Sequence, residues 1–197
     1  DFLIIGPQKT GTTWLHHNLE MHPSVWLTPV KELNYFNQTY APSPEGWEND
    51  VRRNQVADIL PYFEALEEVS EYEQSRFDAC RHISRSEISD DWYRQIFAFA
   101  PVDRVCGEVS SEYSILPRAA ISHIMSIQPR LKAMMTMRDP IDRVWSHLRM
   151  DANRHSPGEE FGLLSAYTEH FVGRSNYPAM IRRWGSYLNS DDLLVLN

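Results

Sequence analysis

Residues Phe2 to Leu15 read FLIIGPQKTGTTWL, and no other stretch limits the fold as strongly. An unbroken apolar run at this length has the character of a parallel strand buried on both faces. It passes into a loop bounded by Gly6 and Gly11, then into an amphipathic segment opening near Thr12. A loop of this kind turns successive backbone N–H groups inward, and the helix behind it adds unpaired N–H groups and the positive end of its dipole. Lys9 places a full charge in that nest, and Thr10, Thr12 and Thr13 add hydroxyl donors. The chemistry invited is that of an oxyanion. A Walker-type loop carries its lysine directly after the second glycine. Here Thr12 holds that place and Lys9 lies within the loop, so the cation comes from another direction.

The segment Pro7-Gln8-Lys9-Thr10-Gly11-Thr12-Thr13-Trp14 closely resembles the 5′-phosphosulfate-binding loop of the sulfotransferases, whose donor is 3′-phosphoadenosine 5′-phosphosulfate (PAPS). The resemblance implies that Gln8, Lys9, Thr10, Gly11, Thr12 and Thr13 hold the donor and that Trp14 stacks on its adenine. A second segment agrees with it. After the apolar run Leu131 to Met137 come Arg138, Asp139 and Pro140, then Arg143 to Ser146. This resembles the family's 3′-phosphate motif and implies Arg138 and Ser146 as its ligands. The side chains suit the task, since arginine offers a planar fork to phosphate oxygens and Pro140 fits a first helical turn.

The segment Lys31-Glu32-Leu33-Asn34-Tyr35-Phe36 resembles the K-E-x-x-[FY]-F segment of the glycosaminoglycan-type sulfotransferases, which implies Glu32 as general base. Cys106 to Tyr113 resembles, in part, the strand end that lines the family's reaction centre. Val109 stands there in place of a second lysine, and Ser111 in place of proline. Glu108 is a reserve candidate for the base, or a partner for an arginine such as Arg138. Lys9 is expected to stabilise charge on the leaving phosphate.

The wider pattern alternates strands and helices. Apolar runs at Phe2–Gly6, Val25–Thr28, Arg104–Val109, Leu131–Met137 and Leu193–Leu196 read as strands. Helices are expected over Thr12–Met21, Asn49–Glu68 with Pro61 dividing it, Asp91–Phe99, Ile115–Ile127, Ile141–Asp151 and Ser175–Leu188. Tyr35–Trp47, Val69–Asp90 and Asn153–Gly162 read as loops, the second as a mobile surface segment over the site. This order predicts an α/β fold: a mostly parallel central sheet with helices on both faces and ligand groups at the strands' carboxyl ends. The resemblance names it as the P-loop-like sulfotransferase fold, a single domain over residues 1–197. In that family a further helix and a loop closing over the donor usually follow the last strand, so the C-terminal portion is expected to be missing.

Composition narrows the partners. With 197 residues and 42% apolar content the chain can bury one sizeable core. A net charge of −8 with no basic stripe argues against nucleic acid and membrane surfaces. No apolar run is long enough to span a membrane, although a start at Asp1 leaves an upstream anchor open. Cys80 and Cys106 read as free thiols of a reducing, cytoplasmic compartment, and eight histidines without ligand spacing predict no metal. The expected acceptor is a small molecule or carbohydrate bearing a hydroxyl or amine. Two other readings stand beside sulfuryl transfer. A P-loop phosphotransferase is disfavoured by Thr12 and by the lack of a strand ending in a Walker B aspartate; a non-catalytic nucleotide-binding module is the second alternative, kept open by Val109 and the stop at Asn197.

Overall fold

Parallel pairing of apolar strands organises the chain in a computed structural model that describes residues 1–43, 46–85, 87–152 and 169–197. In chain order the elements are β1 (Phe2–Ile4), α1 (Thr12–Glu20), β2 (Val25–Leu27), α2 (Tyr35–Tyr40), α3 (Trp47–Glu64), α4 (Glu71–Ile83), α5 (Asp90–Ala98) and β3 (Val105–Val109). There follow α6 (Arg118–Ile127), β4 (Lys132–Thr136), α7 (Pro140–Ala152), α8 (Glu169–Val172), α9 (Tyr177–Trp184) and β5 (Leu193–Leu196). The strands form one sheet in the order β2-β3-β1-β4-β5, and every pairing is parallel.

Alternation along β1 divides the apolar side chains between the two faces of the sheet. Leu3 and Ile5 enter the larger core with Ala133 and Met135, beneath Trp92 and Ile96 of α5, Ile121 and Ile124 of α6, and Met180 and Trp184 of α9. Ile4 faces the other way, with Leu27 and Val109, and is covered by Leu15 and Leu19 of α1. Helices therefore cover both faces, as the sequence predicts.

Central β1 ends level with β3, while β4 runs on past it to Thr136. Ile4 pairs with Val109 on one side and Met134 on the other, so the loops after β1, β3 and β4 leave from the same end of the sheet. Gly6 makes the close approach possible: a Cβ there would lie 2.0 Å from Thr136 Oγ1 and 2.8 Å from the Thr136 backbone nitrogen.

Three expectations need correction. Pro61 does not divide α3, which runs on to Glu64 with the Ala65 N–H donating to the Pro61 carbonyl at 3.1 Å. A proline so near the end removes one donor and leaves few turns to disturb. The 69–90 segment holds α4, started by a capping box in which Ser70 and Glu73 satisfy each other's backbone N–H groups, and anchored by buried Ala79, Cys80 and Ile83. The Tyr35–Trp47 loop holds α2. Asn153–Gly162 lies outside the described residues.

Candidate active site

A cavity of about 610 Å³ opens at the carboxyl ends of β1 and β4, the usual ligand position in an open parallel sheet. Its lining brings together Gln8, Lys9, Gly11, Thr12 and Thr13 from the first loop and Arg138 and Ser146 from the turn after β4, with Lys31 and Glu32 beside them. The two turns thus face one space.

The first turn is built as an anion cradle. Gly11 precedes α1 at φ 90°, a left-handed conformation open to glycine, and no side chain caps the helix or adds an acid to its first turn. The N–H groups at Thr12 and Thr13 accordingly meet the cavity with the dipole's positive end behind them. Lys9 has φ 72°, and its ammonium makes one long contact, 3.8 Å to the Met150 sulfur. Thr10 is turned inward: its hydroxyl donates to the Pro7 carbonyl at 2.7 Å and meets Thr136 Oγ1 at 2.7 Å. Trp14 stands 69% exposed on α1 and is not part of the lining. Of the donor residues expected from the sequence, Thr10 and Trp14 are the two that the cavity does not gather.

Glu32 is held at the opposite wall. Its backbone adopts φ 60° with the N–H donating to the Val109 carbonyl at 2.7 Å. Ser111 grips the carboxylate twice, its N–H at 2.8 Å from Oε2 and its hydroxyl at 2.8 Å from Oε1, and the Lys31 ammonium pairs with Oε1. A proline at 111 would supply neither the N–H nor the hydroxyl. The departure from the family pattern at Ser111 is therefore matched by a holding role. Lys9, Glu32 and Asn34 are the non-glycine residues with positive φ among the described residues; the first two line the cavity, and Asn34 lies buried just beyond Glu32 in the chain. Such backbone costs on the order of 1–3 kcal/mol per residue and persists where surrounding structure enforces it.

Several supports carry no signature in the sequence. Arg143, fully buried, donates to the Gln8 carbonyl at 3.2 Å and the Ser175 hydroxyl at 2.6 Å, and also bonds the Phe171 carbonyl, tying the first loop to α7 and the C-terminal segment. Asp139 caps α7 by accepting from Ile141 and Asp142. The Tyr177 hydroxyl bridges the N–H and carbonyl of Arg138, fixing that backbone while leaving the guanidinium partly exposed. Arg174 lines the cavity and makes a two-pronged bond to Glu112 at 3.1 and 2.6 Å. Lys9, Lys31, Arg138 and Arg174 thus share the lining with Glu32 and Asp151. A chain of net charge −8 concentrates cations here.

Glu108 lies behind the site, fully buried, and does not line the cavity. Its partners are the Tyr93 hydroxyl at 2.6 Å and the Ser110 hydroxyl at 2.5 Å rather than Arg138. Burial pushes its pKa up to about 7 against the pull of those donors. The folded protein therefore holds this proton more tightly than the unfolded chain, and stability falls as pH rises from about 4.5 through about 7. Buried His16 slopes the other way, its pKa lowered to about 4 by burial. Comparing wild type with Glu108→Gln cancels that term. Between pH 4.5 and 8 the variant should gain on the order of 3 kcal/mol relative to wild type in urea unfolding, and a constant difference would contradict the assignment.

The model of the Sulfotransferase family matches residues 1–189. Human carbohydrate sulfotransferase 15 is 25% identical over 168 residues, covering 81% of this chain and 28% of that protein. Membrane-associated sulfotransferase kil1 of Dictyostelium discoideum is 44% identical over 41 residues, 21% of this chain and 9% of kil1. The chain spans little more than a quarter of the human relative's length. Among solved structures, a sulfotransferase from Alicyclobacillus acidocaldarius aligns with a TM-score of 0.62 at 18% identity, covering 99% of this chain and 71% of that one, a likeness of fold. No described helix is long and apolar enough to cross a membrane.

Proposed function

The chain belongs to the sulfotransferase family, and from that premise we propose that it moves a sulfuryl group from PAPS to a hydroxyl or amine on a small molecule or carbohydrate. The observation that carries this reading is the single cavity shared by the turns at Gln8–Thr13 and Arg138–Ser146. Its surplus of cations and its uncapped helix start suit a ligand with phosphates at both ends of a nucleoside. The donor supplies a sulfuryl group already activated by its bond to phosphate. Thr12, Thr13 and the loop N–H groups would hold the 5′ end, and Arg138 with Ser146 the 3′-phosphate. Lys9 would neutralise charge developing on the phosphate oxygen as its bond to sulfur breaks. Glu32 would take the proton from the acceptor as the new bond to sulfur forms.

The direct test uses the desulfated product, 3′-phosphoadenosine 5′-phosphate (PAP). At a hundred times its Kd, PAP should raise stability by about 2.7 kcal/mol, read as a rise in Tm of several degrees. Arg138→Ala should weaken PAP about 10- to 100-fold, as expected for loss of a charged hydrogen-bonding partner. Stabilisation by magnesium-ATP with none by PAP would favour the phosphotransferase reading instead.

A further inference from the structure

A second cavity, about 710 Å³, adjoins the first, and the two share Thr13 and Lys31 in their linings. Helix α3 runs along both. Trp47 and Val51 border the first cavity, while Gln55, Ile59 and Phe63, continuing the same four-residue spacing, border the second. On α1, Thr13 stands at the junction and His16, His17 and Glu20 lead away from it. The Lys31 ammonium at that junction is bonded to Glu32. A molecule seated in the second cavity would therefore present its near end beside Glu32, on the side away from Arg138 and Ser146.

The charges lining this second space already have partners. Glu20 pairs with Arg76, Glu73 closes the capping box with Ser70, and Lys31 pairs with Glu32. Two cations, Lys31 and Arg76, are balanced by Glu20 and Glu73, without the cation surplus of the first cavity. The pairing with Arg76 also argues against a metal at His16, His17 and Glu20, since a cation already sits on the carboxylate. Between these charges the wall carries an apolar and aromatic stretch, Ile59, Phe63, Tyr72 and Tyr62, the last with its ring largely in solvent, beside polar Thr13, Gln55 and His17.

Two buried polar atoms of this wall have no hydrogen-bond partner among the described residues, Arg76 Nε and His16 Nε2. His16 is 7% exposed, and its Nε2 has no hydrogen-bond partner. Burial, reinforced by Lys31 and Arg76 against the pull of Glu20, keeps the ring neutral down to about pH 4, so the unpaired nitrogen adds no charge to the wall. Leaving it unpaired is costly.

We propose that the second cavity is the acceptor groove, shaped for an uncharged alcohol or phenol with an apolar body rather than a polyanionic glycan. This rests on the sulfuryl-transfer reading of the first cavity. The apolar body lies against Ile59, Tyr62 and Tyr72, and the reacting hydroxyl reaches the junction at Thr13 and Lys31.

The test follows transfer of labelled sulfate from PAPS to 2-naphthol, to octyl glucoside and to a sulfated glycosaminoglycan hexasaccharide, with PAP binding measured separately on the same protein. The two uncharged acceptors should be sulfated and the hexasaccharide should not. Tyr62→Ala, at an exposed position where folding is not at stake, should raise KM for 2-naphthol about tenfold, with the effect on KM rather than kcat and with Kd for PAP changed less than twofold. Sulfation of the hexasaccharide with a KM indifferent to Tyr62→Ala would overturn the proposal. So would intact PAP binding with no transfer to either uncharged acceptor. Failure of PAP to bind would remove the donor reading itself, and this inference with it.

Discussion

Lys9→Ala should lower kcat by about 10³-fold at saturating PAPS while changing Tm little. The ammonium has few ties to the folded protein, its one hydrogen bond being a 3.8 Å contact with the Met150 sulfur, a weak acceptor. Removing it therefore forfeits little native structure. Its place in the cavity beside Gly11 and Thr12, at a helix start with no other charge in its first turn, is where a leaving phosphate oxygen would gain charge. Removing one preorganised donor to a developing oxyanion typically costs about 10²–10³ in kcat, and a full positive charge falls at the upper end. Ground-state binding of PAP should weaken far less, because the loop N–H groups, Thr12, Thr13 and Arg138 remain. Lys9→Arg keeps the charge on a longer, planar head, so it should recover only part of the rate. Single-turnover measurements separate the chemical step from product release. Unchanged turnover in Lys9→Ala would end its assignment to the leaving group.

The sequence disclosed those parts of the site in which a local pattern and a long-range consequence coincide. An apolar run, a glycine at its end and a helix start announced the turn after β1, and the run before Arg138 announced the turn after β4. That the two turns meet depends on β1 pairing with β4, a contact between residues about 130 positions apart that no local pattern contains. The supports were hidden for the same reason. Arg143 stands in the sequence only as part of the segment after β4, and its guanidinium is buried among three polar partners from distant segments. In the structure Arg143 and His147, four apart on α7 and both buried, mark its inward face. The stretch of helix α4 reads as a mobile segment because its apolar residues show little periodicity. A capping box at Ser70 and Glu73 and four buried residues near its end suffice to place it, and the box was visible as a Ser-x-x-Glu spacing. Thr10 shows the reverse error of counting. Three threonines in the loop look alike in sequence, yet one hydroxyl is spent on Pro7 and Thr136, holding β1 to β4.

Glu32→Gln should lower transfer by about 10²–10⁴-fold and leave the Kd for PAP within about twofold. An ionised carboxylate offers about four lone-pair sites, and three are taken, by the Lys31 ammonium, the Ser111 hydroxyl and the Ser111 N–H. The remaining site, on Oε2, is open to an acceptor O–H, so the grip of Ser111 orients the base without exhausting it. A glutamine can still accept from the Ser111 N–H, and the Ser111 hydroxyl can turn to accept from its amide, so the loop should keep its shape. What it loses is basicity, since an amide takes no proton at neutral pH. Lys31 loses its ionic partner at a mostly buried position, a cost on the order of 1 kcal/mol visible as a small fall in Tm. Glu108→Gln is the matched control. That carboxyl is sealed beneath Tyr93 and Ser110, away from the cavity, and its loss should alter stability and its pH dependence while transfer continues. If transfer survives in Glu32→Gln and disappears in Glu108→Gln, the proton must leave through the buried carboxyl, and the cavity would have to open toward β3 during turnover.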